Sequence, residues 1–260
     1  MLKFSANLSL MFTELEFLER FTAAKKAGYN GVEFFFPYSY DKDALSAELE
    51  KNDQVLVLFS LPPGDWEAGE VGISCHPDRV DEFQAGVGTA IEYAIALNCD
   101  LINCIAGITP VGVAQEKIAD TYVSNLRYAA LELAKVGKGL VIEPVNTHHR
   151  PGFYLNRTDQ AVEIIEKIGL NNLGLQYDVY HAQVMEGNLS NTIETNLGII
   201  RHIQIADNPG HHEPGTGEIN FNYLLSFIER VGYKGWIGCE YEPRTTTLEG
   251  LGWLNAFYSS

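Results

Sequence analysis

The chain has 260 residues, 46% of them hydrophobic, and a formal net charge of −16. The length suits one α/β barrel, which takes about 250 residues; the acidity argues against nucleic acid and anionic membranes, which call for basic footprints, and no run of about 18 apolar residues offers a membrane span. The N-terminal MLKFSANLSL lacks the long apolar region and cleavage site of a signal peptide, and Cys75, Cys99, Cys104 and Cys239 form no C-x-x-C pair, so reduced thiols in a cytoplasmic setting are expected.

Short apolar runs alternate with longer amphipathic ones, the pattern of βα units around a parallel sheet. The first strand is predicted at Lys3–Ala6, with a helix from Thr13, a capping residue, to Ala27, ended by Gly28. The second strand is Gly31–Phe35 with a helix from Asp41 to Asn52, and the third is Gln54–Phe59. A long Gly/Pro-rich loop, Ser60–Pro77, precedes a helix over Asp78–Leu97; loops of that length tend to serve function. The fourth strand is Leu101–Ile105 with a helix over Ala114–Val136, and the fifth is Gly139–Glu143, stopped by Pro144. After an irregular loop, Thr158 caps a helix reaching Ile168. The sixth strand is Leu173–Asp178 with a helix over Leu189–Leu197, and the seventh is His202–Asp207. A loop rich in glycine and histidine, Asn208–Glu218, leads to a helix over Asn220–Val231; the eighth strand is Trp236–Glu240 and a last helix covers Leu248–Phe257.

Eight such units without a hairpin signal or an early G-x-G-x-x-G predict a closed (β/α)₈ TIM barrel, a single domain over residues 1–260. In such a barrel the strand C-termini carry the chemistry. Strands five, six and eight end in Glu143, Asp178 and Glu240, and strand seven carries Gln204 between Ile203 and Ile205. Successive side chains on a strand alternate in facing. If Ile142, Ile237 and Cys239 pack on the helices, Glu143 and Glu240 point into the barrel mouth, and Asp178 and Gln204 turn inward likewise. Three carboxylates converging with an amide oxygen repel one another unless a cation joins them. An all-oxygen set favours Mg²⁺ or Mn²⁺ over Zn²⁺.

Several local motifs then become recognisable: F-S-A-N-L-S at Phe4–Ser9, G-V-E-F at Gly31–Phe34, P-G-D-W at Pro63–Trp66 and I-E-P at Ile142–Pro144. Further along are Q-Y-D-V-Y-H at Gln176–His181, H-I-Q-I-A-D-N-P at His202–Pro209, E-P-G-T-G-E-I-N at Glu213–Asn220 and G-W-I-G-C-E-Y at Gly235–Tyr241. Carrying these over its whole length, the chain resembles the hydroxypyruvate isomerase family of xylose-isomerase-like barrels. The resemblance implies an enzyme interconverting hydroxypyruvate and tartronate semialdehyde through an enediolate, with Glu143 and Glu240 as the acid/base pair. It implies a divalent metal held by Glu143, Asp178, Gln204 and Glu240, and a small hydroxy-keto acid as the partner; a homo-oligomer is compatible with it.

His181, in the Asp-x-x-His spacing found in related isomerases and epimerases, is expected to bind substrate, with Glu70 and Arg244 as further rim candidates. The pairs His148/His149 and His211/His212 are candidates for a substrate carboxylate, and Trp66 for a pocket cover. The chain departs from hydroxypyruvate isomerases at Phe59, Ser60 and Val71, where His, Asn and Arg are usual, so substrate choice is expected to be decided there. Related 2-oxo-tetronate isomerases also lack that His and Arg, which keeps their reaction as an alternative beside ketose 3-epimerisation. An endonuclease IV-type phosphodiesterase fits less well, because it needs a zinc cluster and a basic surface.

Overall fold

The structure, a computed structural model, describes residues 1–254. Its strands are β1 (Lys3–Asn7), β2 (Gly31–Glu33), β3 (Val55–Ser60), β4 (Leu101–Asn103), β5 (Gly139–Ile142), β6 (Leu173–Asp178), β7 (Ile200–Ile205) and β8 (Trp236–Cys239). They pair in chain order, all parallel, and β8 returns to β1, closing the expected barrel. Eight α-helices fill the connections: α1 (Phe17–Lys26), α2 (Lys42–Lys51), α3 (Val80–Ala96), α4 (Gln115–Lys135), α5 (Thr158–Ile168), α6 (Val179–Met185), α7 (Leu189–Asn196) and α8 (Phe221–Arg230). A 3₁₀ turn, Glu249–Leu254, stands where the sequence predicts the last helix, and the remainder of that span lies outside the described residues.

Alternation works as the sequence implies. Phe4, Ala6, Leu175, Tyr177, Ile203, Ile205, Ile237 and Cys239 join the core between barrel and helices. There Phe21 of α1, Ile118 and Leu126 of α4 and Ile228 of α8 are fully buried, each contributing about 1.5–3 kcal/mol. The barrel interior holds the opposite set. Val57, Leu58 and Val141, with Leu101 and Trp236 against them, form a small separate apolar cluster. The remaining inward residues are polar: Ser5, Asn7, Glu33, Asn103, Gln176, His202 and Gln204, all buried.

Four local expectations are corrected. The first helix begins at Phe17 rather than at a Thr13 cap, its N-cap Glu16 making no side-chain cap bond. Thr158 is the first residue of α5 and Arg157 precedes it, so Thr158 is not the cap. Between β6 and α7 lies an additional helix, α6, capped by Asp178, whose carboxylate accepts from the His181 N–H. Seven residues are too few for a periodic signal. Finally, β7 ends at Ile205, leaving Asp207 in the next loop, where its carboxylate accepts from the N–H groups of Asn208, Gly215, Gly217 and Ile219. Asp207 thereby holds the loop that carries His211.

Candidate active site

The polar strand ends surround a cavity of about 310 Å³ at the C-terminal mouth of the barrel, lined by Glu33, Glu143, Gln204 and Glu240 among others. Each key carboxylate sits on a strand end or just beyond one. Glu143 and Glu240 follow the last residues of β5 and β8, and Asp178 ends β6. A rigid barrel rim therefore sets their spacing, and mobile loops do not.

One side of the site is a network around Glu240. Its Oε2 accepts from Asn7 Nδ2 at 2.9 Å and from Gln204 Nε2. Gln204 Nε2 also donates to Glu33 Oε1 at 2.8 Å, while Gln204 Oε1 accepts from Gln176 Nε2. Glu33 further accepts from Ser5 Oγ at 2.8 Å and lies 2.9 Å from His202 Nε2. Burial alone would raise the Glu33 pKa, but His202, Gln204 and Ser5 overcome it and hold the carboxyl below its usual range. Glu240 is the opposite case. Burial, then the charges of Glu143, Glu33 and Asp178, push it well up.

The other side gathers Glu143, Asp178 and His181, whose ligating atoms lie within 4.8 Å of one another. Glu143 Oε2 accepts from Asn103 Nδ2 at 3.0 Å, and Oε1 lies 3.9 Å from His181 Nε2. Burial and then the Asp178 charge push Glu143 up to about 8. Burial, against a lowering by His211, lifts Asp178 to about 6. His181 is pushed down to about 3 by burial, then by His149 and Arg150, so its ring stays neutral; Asn146 Nδ2 meets its Nδ1 at 2.7 Å.

These residues suit a divalent cation. Asp178 Oδ2 is buried with no hydrogen-bond partner, although its sister oxygen is satisfied by the His181 N–H. A carboxylate oxygen orphaned beside a second acid is costly unless it is protonated or bound to a cation. The donors are carboxylates, with the Gln204 carboxamide on the same cavity, the hard oxygen set of such ions. Of the four ligands expected from sequence, Glu143 and Asp178 come together directly, with the His181 ring beside them. Gln204 and Glu240 line the same cavity, and the Gln204 amide nitrogen faces Glu240.

The rim sorts the remaining candidates. His149, His181 and His211 line the cavity, their rings clustered with Tyr180 at centroid distances of 4.6–6.4 Å. Their sequence neighbours do not join the wall: His148 is exposed and His212 Nδ1 meets the Glu242 carbonyl at 2.7 Å. Trp66 lines the mouth against Phe36, ring centroids 5.0 Å apart. Ser60 and Val71 line the cavity, whereas Phe59 faces the helices, fully buried against Tyr38. Glu70 and Arg244 lie outside the wall. Glu70 pairs with Arg79 and accepts from the Asp65 N–H; Arg244 is exposed, its backbone N–H donating to Glu213.

Sequence reading overlooked Glu33, Asn7, Asn103 and Arg150. The first three end β2, β1 and β4. The strand-end rule that picked out Glu143 and Glu240 selects them only with the observed ends, because the predicted strands end at Ala6, Phe35 and Ile105. Arg150 had no such signal, because its place depends on how a loop folds back over the barrel.

Residues 21–257 match the family described as xylose isomerase-like TIM barrel. The chain is 52% identical to the hydroxypyruvate isomerase of Escherichia coli strain K12, the match covering 99% of this chain and 100% of that one. It is 43% identical to a 2-oxo-tetronate isomerase of Cupriavidus necator, over 98% of each. A solved structure from Brucella melitensis, named as an AP endonuclease of family 2, superposes with a TM-score of 0.96 at 44% identity, covering 99% of both chains.

Proposed function

The chain belongs to the xylose isomerase-like TIM barrel family, and on that footing we propose that it is an isomerase interconverting hydroxypyruvate and tartronate semialdehyde. The observation that carries this reading is the pair Glu143 and Glu240. Each glutamate is fixed through its Oε2 by a strand-end amide, Asn103 or Asn7, and neither Oε1 takes part in those bonds. Two buried carboxyls with raised pKa values on one cavity can pass a proton to and from adjacent carbons of a bound substrate. The likeness to the E. coli hydroxypyruvate isomerase supports the same assignment.

In this reading one glutamate, as carboxylate, takes the proton from the hydroxyl-bearing carbon, and the electrons move into the neighbouring carbonyl to give an enediolate. The other glutamate, as carboxylic acid, delivers a proton to the adjacent carbon while the hydroxyl proton passes to the oxygen of the former carbonyl, and the carbonyl has moved by one position. Burial, and after it the neighbouring acids, raise both carboxyls toward the range in which a group can both give and take a proton. Glu143 and Asp178, joined by Gln204 and Glu240, would hold a Mg²⁺ or Mn²⁺ ion. Such an ion would supply Lewis-acid withdrawal of charge from the substrate oxygens. His181, neutral and oriented by Asn146, is placed to hydrogen-bond a substrate oxygen.

Ser60 and Val71 on the wall favour a second substrate, the four-carbon 2-oxo-tetronates of the Cupriavidus relative, because small side chains there leave room for a longer chain. An endonuclease activity, which the name of the Brucella relative raises, fits poorly: a net charge of −16 and a wall with one arginine among the described residues offer little to a phosphate backbone. The deciding experiment offers hydroxypyruvate, 2-oxo-tetronates and ketohexoses to the protein with Mg²⁺ or Mn²⁺ and follows isomerised product. Turnover confined to ketohexoses would overturn the proposal.

A further inference from the structure

We infer that Arg150 is the receptor for the substrate's carboxylate and selects 2-keto acids over neutral keto sugars. The inference rests on the functional reading above, which makes the substrate an anion. That anion must enter a cavity walled by Glu33, Glu143, Glu240 and Glu242, on a protein that is itself strongly acidic. Repulsion would oppose entry unless a fixed cation met the carboxylate.

Among the described residues Arg150 is the one arginine or lysine in the cavity wall. Its planar guanidinium fork matches a carboxylate bidentately. Arg79 is engaged with Glu70 and Glu82, and Arg157 with Asp159; Arg244 lies off the cavity wall. No carboxylate among the described residues forms an ion pair with Arg150, so its guanidinium is available to a ligand.

The loop beneath it is anchored. Asn146, fully buried, accepts the His149 N–H through Oδ1 at 2.6 Å, and its carbonyl accepts the Arg150 N–H at 3.0 Å. The same Asn146 contacts His181. Phe153 N–H donates to the Arg150 carbonyl at 3.2 Å, and Thr109 N–H donates to the Gly152 carbonyl at 2.9 Å, tying this loop to the one after β4. Arg150 therefore lines the cavity from an anchored turn, on the same wall as Glu143. A carboxylate bound there would leave the adjacent carbons of a short keto acid directed down toward the two glutamates. This also explains how an exposed residue can set specificity: it reads the end of the substrate that does not react.

The test compares Arg150→Ala and Arg150→Lys with the parent protein on hydroxypyruvate and on dihydroxyacetone, which carries CH₂OH in place of the carboxylate. The ratio of kcat/KM for the acid to that for the neutral ketose should fall about 10- to 100-fold in Arg150→Ala, mainly through KM, with Arg150→Lys between the two. The salt dependence of kcat/KM for the acid should flatten in parallel. Equal losses on both substrates, or none on either, would overturn the inference. Calorimetric binding of D-glycerate and of glycerol to the metal-loaded proteins gives a second arm that needs no turnover. If the parent protein turned over no keto acid, the functional reading would fall. Arg150 would then still be tested by whether its removal weakens glycerate selectively, and equal glycerate affinity in parent and variant would refute it.

Discussion

Gly238 on β8 faces the Glu33 carboxylate so closely that a Cβ at position 238 would lie 2.7 Å from Glu33 Cδ. The missing side chain makes room for a buried acid that reaches across from β2 and binds Ser5, Gln204 and His202 together. Because Gln204 and Asn7 also hold Glu240, the position of Glu33 is transmitted to one of the two proposed proton carriers.

Gly238→Ala should therefore destabilise the fold by about 1–3 kcal/mol through overpacking. It should also lower kcat more than it raises KM, since the displaced Glu33 shifts Gln204 and Asn7. Urea unfolding with steady-state kinetics checks both, and parental values of both would show that the Glu33 position does not govern Glu240.

Glu143→Gln and Glu240→Gln, assayed separately with metal saturating, should each cut kcat by about 10²–10⁴-fold. In the metal-free state at about pH 9 either change should keep or raise the melting temperature, because it replaces a carboxyl whose ionised form the buried site disfavours. A variant retaining near-parental turnover would rule out the two-glutamate scheme.

The metal-stripped protein should lose stability as pH rises. Glu143 has a folded pKa of about 8 against an ordinary value of 4.5. The folded state thus binds more protons than the unfolded state between those values, and the slope of unfolding free energy with pH is negative there. The stabilisation is complete below about pH 4.5 and lost as pH climbs through about 8. Adding Mn²⁺ should abolish the trend and release protons on binding. Melting curves from about pH 5 to about pH 8.5, with chelator and with metal, measure this across the titration window, and parallel curves would refute it.

Glu70→Gln should leave KM for the acid substrate within about fivefold of the parent value, because Glu70 is committed to Arg79 and the Asp65 N–H and lies outside the cavity wall. A larger rise in KM would restore Glu70 as a substrate ligand.

Much of this protein was legible in its sequence. Periodicity gave eight βα units, and strand-end acids gave Glu143, Asp178 and Glu240, because the period-two alternation of a strand is a local property of the chain. The helix α6 escaped, being a single short stretch after Asp178 whose cap is a site residue. Phe59 and Ser60 are neighbours in sequence, yet only Ser60 lines the cavity, because successive residues of β3 face opposite sides.

By itself the sequence determined the barrel, the acidic strand ends and the resemblance to the isomerases, since each follows from local spacing or from motifs contiguous in the chain. The tertiary structure alone decided which distant groups meet. It set Glu33 against Gly238 and His202, gave Asn7 and Asn103 to the two glutamates, and placed Arg150 on the wall while taking Glu70 and Arg244 off it. The physical reason is that barrel closure and loop return fix distances between residues far apart in the chain, 233 positions for Asn7 and Glu240, and those distances govern charge, pKa and contact.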